Sequence, residues 1–288
     1  MSQLSAVQRL KALIELVRFE LPFAAGVCTV LGQLLALGGS PSMLEIVGGF
    51  AAIFLISASA LILNDLFDVE SDKVNAPHRP LPSQRVTGVE VVSFFVIVTI
   101  VGLFISALLG VEALVLSFTL WTVALLYNWR FKRTGLLGNL MVSFSVGMTF
   151  VFGGVSVGIY SHELVWYFAI LAALINLGEE IAADAMDVVG DSKAQFNSIA
   201  VKFGRARALD VSTAIFSAVL VLSIAPFPLK WLPGVYLYPI LLMDSIILYS
   251  VIRLRASKEQ EGRKLIRAIY LGATFSMLVI LLLRIFET

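Results

Sequence analysis

Apolar residues in this 288-residue chain come in long unbroken runs divided by short polar stretches. Nine runs stand out, near 19–37, 43–64, 89–109, 112–128, 137–157, 164–183, 209–228, 233–252 and 266–285. Each is close to the roughly 20 residues that a helix needs to cross a bilayer. None shows the two-residue alternation of a half-buried strand, and an open sheet would leave backbone groups unpaired in lipid. The pattern predicts an all-α, polytopic membrane protein: one domain over 1–288, a bundle of nine transmembrane helices. The first residues differ. Leu10, Leu13, Ile14 and Val17 recur at helical spacing among Arg9, Lys11, Glu15, Arg18 and Glu20. That predicts a helix lying in the interface ahead of the first span, rather than a cleavable leader.

Composition sharpens this picture. The chain is 59% apolar and 14% charged, against roughly 45–50% and about 25% in soluble domains. The one cysteine, Cys28, excludes an intrachain disulfide. The net charge of +1 conceals a strong bias: 19 of the 21 Lys and Arg residues fall on the side of the N-terminus, and only Lys230 and Arg284 on the other. Basic residues gather on the cytoplasmic side of membrane proteins. The N-terminus and the loops after spans two, four, six and eight are therefore expected in the cytoplasm, and the C-terminus outside, in a multi-pass protein of the cell membrane. The far-side loops are short (38–42, 110–111, 158–163), whereas those after spans two and six are long. Long loops in compact domains usually carry function.

Both long loops open on aspartates. Asp65, Asp68 and Asp72 follow span two, and Asp184, Asp187 and Asp191 follow span six, each set at i, i+3, i+7. Six of the eight aspartates are in these sets. On a continuous helix each set shares one face, with neighbours about 5–6 Å apart, and such like charges repel unless a cation joins them. Oxygen-only ligands suit a hard divalent ion, and Mg²⁺ typically takes one or two carboxylates and completes its shell with water and phosphate. Two facing sets of carboxylates would grip a diphosphate through bridging Mg²⁺. Lys73, Arg79, Lys193 and the Arg130, Lys132, Arg133 group lie on the same side to hold its oxygens. A charged head at the membrane face with an oily tail in a cavity between helices describes a prenyl diphosphate. Aspartates can also be solvated helix caps, and acidic clusters serve cation transporters, though there the carboxylates usually lie near the bilayer midplane.

The motifs also carry a resemblance. NDLFDVESD has the form N-D-x-x-D-x-x-x-D, and 184–191 the form D-x-x-D-x-x-x-D. With nine spans, the chain resembles the UbiA superfamily of intramembrane prenyltransferases over nearly its whole length. Within it, NDLFDVESDKVNAPHRPLPSQRV, VFGGVSVG (151–158), the GD–K–SIAVKFG pattern (190–204) and APFP (225–228) resemble the archaeal digeranylgeranylglyceryl phosphate synthases. That resemblance implies a UbiA-like bundle around a central lipid-facing cavity. It implies Mg²⁺-dependent transfer of a geranylgeranyl group from its diphosphate to the glycerol hydroxyl of geranylgeranylglyceryl phosphate. Asn64, Asp65, Asp68, Asp72, Asp184, Asp187 and Asp191 would hold Mg²⁺, and Asp68, Asp187 and Lys132 would be central to catalysis. Lys73, Arg79, Lys193, Arg18, Tyr127 and Asn128 would bind substrate. Its partners would be a prenyl diphosphate, a lipid-like acceptor and membrane lipids, with no nucleic acid and no obligate protein partner. One departure stands out: where the resemblance leads one to expect an arginine and a lysine, this chain has Glu179 and Ala182. Those absences keep open an aromatic acceptor, as in quinone biosynthesis.

The remaining polar residues in apolar surroundings have plainer expectations. Asn139 and Asn176 are expected to tie helices together. Asp244, inside span eight, is expected to be a structural pair. Phe67, Tyr127 and Trp129 are candidates to face a developing cation, with Trp129 better suited to the membrane interface. His78 and His162 are not expected in the chemistry.

Overall fold

The structure, a computed structural model, describes residues 5–287, apart from the side chains of Asn75 and Glu287. Met1–Leu4, the start of the expected interfacial segment, and Thr288 lie outside the described residues. Helix α1 (Ala6–Leu16) begins at a capping box: the Ser5 hydroxyl accepts from the Gln8 backbone N–H, and the Gln8 side chain accepts from that of Ser5. Its Ala12 and Leu16 are buried with Ala58, Ile62, Val86 and Val91, so the helix is docked on the bundle. Arg18, in the left-handed region at φ 48°, turns the chain into the first span.

In order there follow α2 (Glu20–Leu37), α3 (Met43–Phe67), the short α4 (Val69–Asn75), α5 (Gly88–Leu109) and α6 (Val111–Leu126). Then come α7 (Leu136–Ser156), α8 (Glu163–Met186), the short α9 (Val188–Lys193) and α10 (Ile199–Phe203), α11 (Arg205–Ile224), α12 (Leu237–Leu254) and α13 (Glu259–Glu287). There is no strand among the described residues. Nine helices among them are long and apolar enough to cross a membrane, matching the nine runs in the sequence.

Several boundaries differ from the hydropathy pattern, three of them as follows. Helix α3 extends three residues beyond 64 and carries Asn64 and Asp65 within it. Helix α11 ends at Ile224 rather than near 228, because Pro226 and Pro228 cannot continue it. Helix α13 starts at Glu259, seven residues before the apolar run, on a charged turn where Arg263 pairs with Glu259.

Helix α2 packs on α3, α7 and α13; α7 packs on α8; α8 packs on α11 and α13. The α2–α7 crossing is close because it is built on glycine. A Cβ on Gly153 would stand 2.9 Å from both the Gln33 nitrogen and the Gly32 Cα, and one on Gly32 would meet the Phe150 carbonyl. Polar groups tie the same crossing: Thr29 Oγ1 donates to Thr149 O at 3.1 Å, and Gln33 Nε2 to Ser156 Oγ at 2.9 Å. With no hydrophobic drive between helices in lipid, such close contacts and hydrogen bonds carry the association. Asp244 accepts from Ser223 at 2.8 Å, the structural pairing expected of it.

Candidate active site

The helices enclose a cavity of about 1150 Å³. Ligand pockets commonly fall within about 300–1,000 Å³, so this one suits a long lipid rather than a small ion. Its deep walls are apolar, with Ile53, Leu120, Phe150, Phe168 and Met277 among them. Its end nearest the aspartates is polar, with Arg18, Asn64, Asn128, Glu180 and Arg263.

The aspartate sets stand at that polar end, but neither is a single helical face. Asp68 interrupts the first helix and Asp187 the second. Asp68 (φ −93°, ψ 2°) separates α3 from α4, and Asp187 (φ −111°, ψ 10°) separates α8 from α9. The two breaks are built alike. Asp72 N–H donates to Asp68 O at 2.8 Å, and Asp191 N–H to Asp187 O at 2.9 Å. The bend turns the third carboxylate of each set relative to the first, which the i, i+3, i+7 spacing does not reveal.

In the first set every carboxylate has a basic partner. Asp65, buried, pairs with Arg18 and lies 3.5 Å from Arg79. Arg79 also pairs with Asp72 at 2.6 Å. Asp68 pairs with Lys132. The Asn64 amide lies 2.8 Å from Asn128 Oδ1, and turned so that its oxygen faces Lys132 it stands 3.0 Å from that ammonium. Lys132 arrives because the chain after α6 widens into a π-helix at Tyr127–Phe131, then tightens over Lys132–Thr134. Such π segments often occur at functional sites.

The second set is held differently. Asp184 accepts from Asn139 at 2.9 Å, and Asp187 pairs with Arg263. Neither Asp184 nor Asp191 has a basic partner among the described residues. Burial, and then the charge of Asp184, push the Asp191 carboxyl up to about 6. Tyr127 links the two sets: Asp68 from one and Asp184 from the other both lie within electrostatic range of it. Both sets therefore lie near Tyr127, at the polar end of the cavity.

No three His, Cys, Asp or Glu residues among those described form a ready-made metal group. The donor set nevertheless fits a hard divalent ion: it is oxygen only, and Asp184 and Asp191 are like charges in mutual range without a cation.

Most of the expected residues meet here, and some do not. Lys73 pairs with Glu70 at 2.6 Å on an exposed face, and Lys193 is exposed on α9. Neither is brought to the cavity wall, because each short helix turns its lysine outward. Phe67 and Trp129 are 47% and 66% exposed and stand outside the cavity lining, so neither faces it. Asn139 and Asn176 tie α7 to α8 as expected: Asn139 donates to Asp184 and so also orients it, and Asn176, which lines the cavity, accepts from Ser143 at 3.1 Å. Sequence reasoning passed over Arg263 and Arg267 on α13 and Glu180 on α8, all of which line the cavity. The crowding of six basic residues into 253–267 was the available signal for the α13 pair.

Comparison with known proteins gives the family and the fold. The UbiA prenyltransferase family matches residues 25–279. The chain is similar to the digeranylgeranylglyceryl phosphate synthase of Pyrococcus abyssi (strain GE5 / Orsay), with 32% identity over 93% of this chain and 96% of that one. A solved structure concerned with digeranylgeranylglyceryl phosphate synthase in membranes is similar over 96% of this chain and 99% of its own, at a TM-score of 0.78 and 27% identity. A UbiA homolog from Archaeoglobus fulgidus, solved bound to DMAPP and Mg²⁺, shares the fold at a TM-score of 0.72 and 16% identity, over 95% of this chain and 98% of that one. The chain belongs to the UbiA prenyltransferase family and is a multi-pass membrane prenyltransferase.

Proposed function

We propose that this enzyme transfers a geranylgeranyl group from its diphosphate to the glycerol hydroxyl of geranylgeranylglyceryl phosphate, with Mg²⁺ as cofactor. The observation that carries the proposal is the convergence of both aspartate sets near Tyr127 at the polar end of a large apolar cavity. Similarity to curated synthases of that name supports the acceptor.

Asn64, Asp65, Asp68 and Asp72 would hold metal on one side, and Asp184, Asp187 and Asp191 on the other. Bound there, Mg²⁺ supplies positive charge against the leaving diphosphate. The chain's bases do the rest of the positioning. Lys132, Arg79 and Arg18 occupy the first set's carboxylates in the free protein, and a diphosphate offers them stronger charge-assisted hydrogen bonds. The apolar walls keep water from the allylic carbon as its bond to oxygen loosens. The acceptor phosphate needs positive charge, and Glu179 and Ala182 do not provide it. Arg263 and Arg267 do, from the neighbouring helix α13. The charge bias of the sequence supports an active site facing the cytoplasm.

The test is incubation of the purified protein with labelled geranylgeranyl diphosphate and each acceptor in turn. Labelled product with geranylgeranylglyceryl phosphate, dependent on Mg²⁺, is expected. Product only with an aromatic acceptor would refute the assignment in favour of ring prenylation.

A further inference from the structure

Glu179 sits on α8, five residues before Asp184, so its Cα is about 7.5 Å deeper along the helix than the second aspartate set. It is 9% exposed, and it lines the cavity. Its buried Oε1 has no hydrogen-bond partner among the described residues, and no base pairs with it there. The nearby bases are engaged elsewhere: Arg263 with Asp187 and Glu259, and Arg267 with Glu20. The ionisable groups in its electrostatic range are Glu180 on the same helix and Tyr270 on α13. Tyr270 donates to Glu20 O at 3.4 Å. A buried polar atom without a partner is costly and calls for an explanation. The residue itself lines the cavity, as do the hydroxyl-bearing Tyr270, Thr274 and Ser276.

We propose that Glu179 is a catalytic residue that receives the acceptor's attacking hydroxyl and removes its proton. This rests on the prenyl-transfer function proposed above. The depth is right for that role. The leaving oxygen belongs with the metal at the aspartates, and the nucleophile must approach the first prenyl carbon from the opposite side, about 3–3.5 Å away. A base then lies about 2.6–3.2 Å beyond the attacking oxygen. These reaches add to about 6–7 Å, comparable with the rise of about 7.5 Å along α8 from Asp184 to Glu179. In the step, a bond forms between the acceptor oxygen and the first prenyl carbon. The bond from that carbon to the diphosphate oxygen breaks, with its electron pair leaving on diphosphate. The hydroxyl proton passes to the Glu179 carboxylate, and later to water. Arg267, one turn deeper than Arg263 on α13, is placed to hold the acceptor's phosphate while Glu179 holds its hydroxyl.

The wild type is assayed first with geranylgeranyl diphosphate and geranylgeranylglyceryl phosphate in detergent. A wild type that ignores this acceptor contradicts the proposed function itself. With a competent wild type, Glu179→Gln should lose about 10²- to 10⁴-fold in kcat, the usual share of general base catalysis. Its Mg²⁺-dependent Kd for geranylgeranyl diphosphate should stay within about threefold, because the diphosphate is held elsewhere. Glu179→Asp, which keeps the carboxyl at shorter reach, should recover part of the rate. An acceptor analogue fluorinated beside the hydroxyl is more acidic, and should lose less with Glu179→Gln than the natural acceptor does. The inference is overturned if Glu179→Gln turns over within about threefold of wild type. It is also overturned if prenyl diphosphate binding falls as far as the rate in both variants, since that marks a structural role.

Discussion

Lys132→Met separates the two tasks assigned to the mouth of the cavity. In the free protein the Lys132 ammonium is committed to Asp68, with side chains 23% and 20% exposed, and it faces the Asn64 amide. In the proposed reaction the same ammonium would donate to the departing diphosphate. A charge-assisted hydrogen bond contributes about 1.5–3 kcal/mol, so its loss should lower kcat/KM by about 10- to 150-fold. The metal should respond in the opposite direction. Breaking a partly exposed ion pair frees Asp68 from a competitor worth about 0.5–1 kcal/mol, and the Mg²⁺ concentration for half-maximal rate should fall by about two- to fivefold. The assay is product formation from labelled geranylgeranyl diphosphate across a Mg²⁺ titration, with Lys132→Arg as the charge-keeping control. A lower rate with a weaker or unchanged Mg²⁺ dependence would refute the idea that this lysine holds a metal ligand in reserve. So would an unchanged rate.

Three further outcomes are expected. Asn139→Ala removes the donor that orients Asp184; outer-shell losses of this kind cost about 10–100-fold in metal affinity or activity, visible as a raised Mg²⁺ requirement. Arg263→Ala should raise KM for geranylgeranylglyceryl phosphate by about tenfold, the value of one partly exposed charged contact, with kcat nearly kept; an equal KM would confine Arg263 to its ion pairs with Asp187 and Glu259. Gly153→Val should lower stability by about 1–3 kcal/mol or more, since its new atoms meet α2 backbone. Gly88→Ala, with nothing within 4 Å, is the control in thermal unfolding in detergent.

The nine helices were legible because lipid imposes a long, mostly apolar run on every span, which the few ionisable residues within them, such as Glu179, Glu180 and Asp244, do not break. Their ends were less so. Helix α13 begins on Glu259–Arg267, where helix-forming charged residues continue the helix outside the apolar run. The aspartate sets were visible as spacing, but their breaks at Asp68 and Asp187 were not, because backbone hydrogen bonds continue past each bend and leave no proline or glycine as a mark. Partners far along the chain were the hardest. Lys132 lies 64 residues from Asp68, and Arg263 lies 76 from Asp187. Lys132 was picked out by its place on a short loop at the same membrane face, whereas Arg263 was lost among six basic residues that the charge bias alone explained. Lys73 and Lys193 show the converse. Closeness to an acidic motif in sequence did not bring either side chain to the cavity, because α4 and α9 are helices that face them outward.

The most direct test of a shared, metal-bridged diphosphate is the turnover of Asp68→Ala, Asp187→Ala and the double variant at saturating Mg²⁺, each confirmed as folded in detergent. Each single change should cost at least about a thousand-fold, the several kcal/mol that metal-borne charge supplies, and the double change should cost little more, because residues acting as one unit do not add. Wild-type turnover in either single variant, or losses that multiply in the double, would contradict it.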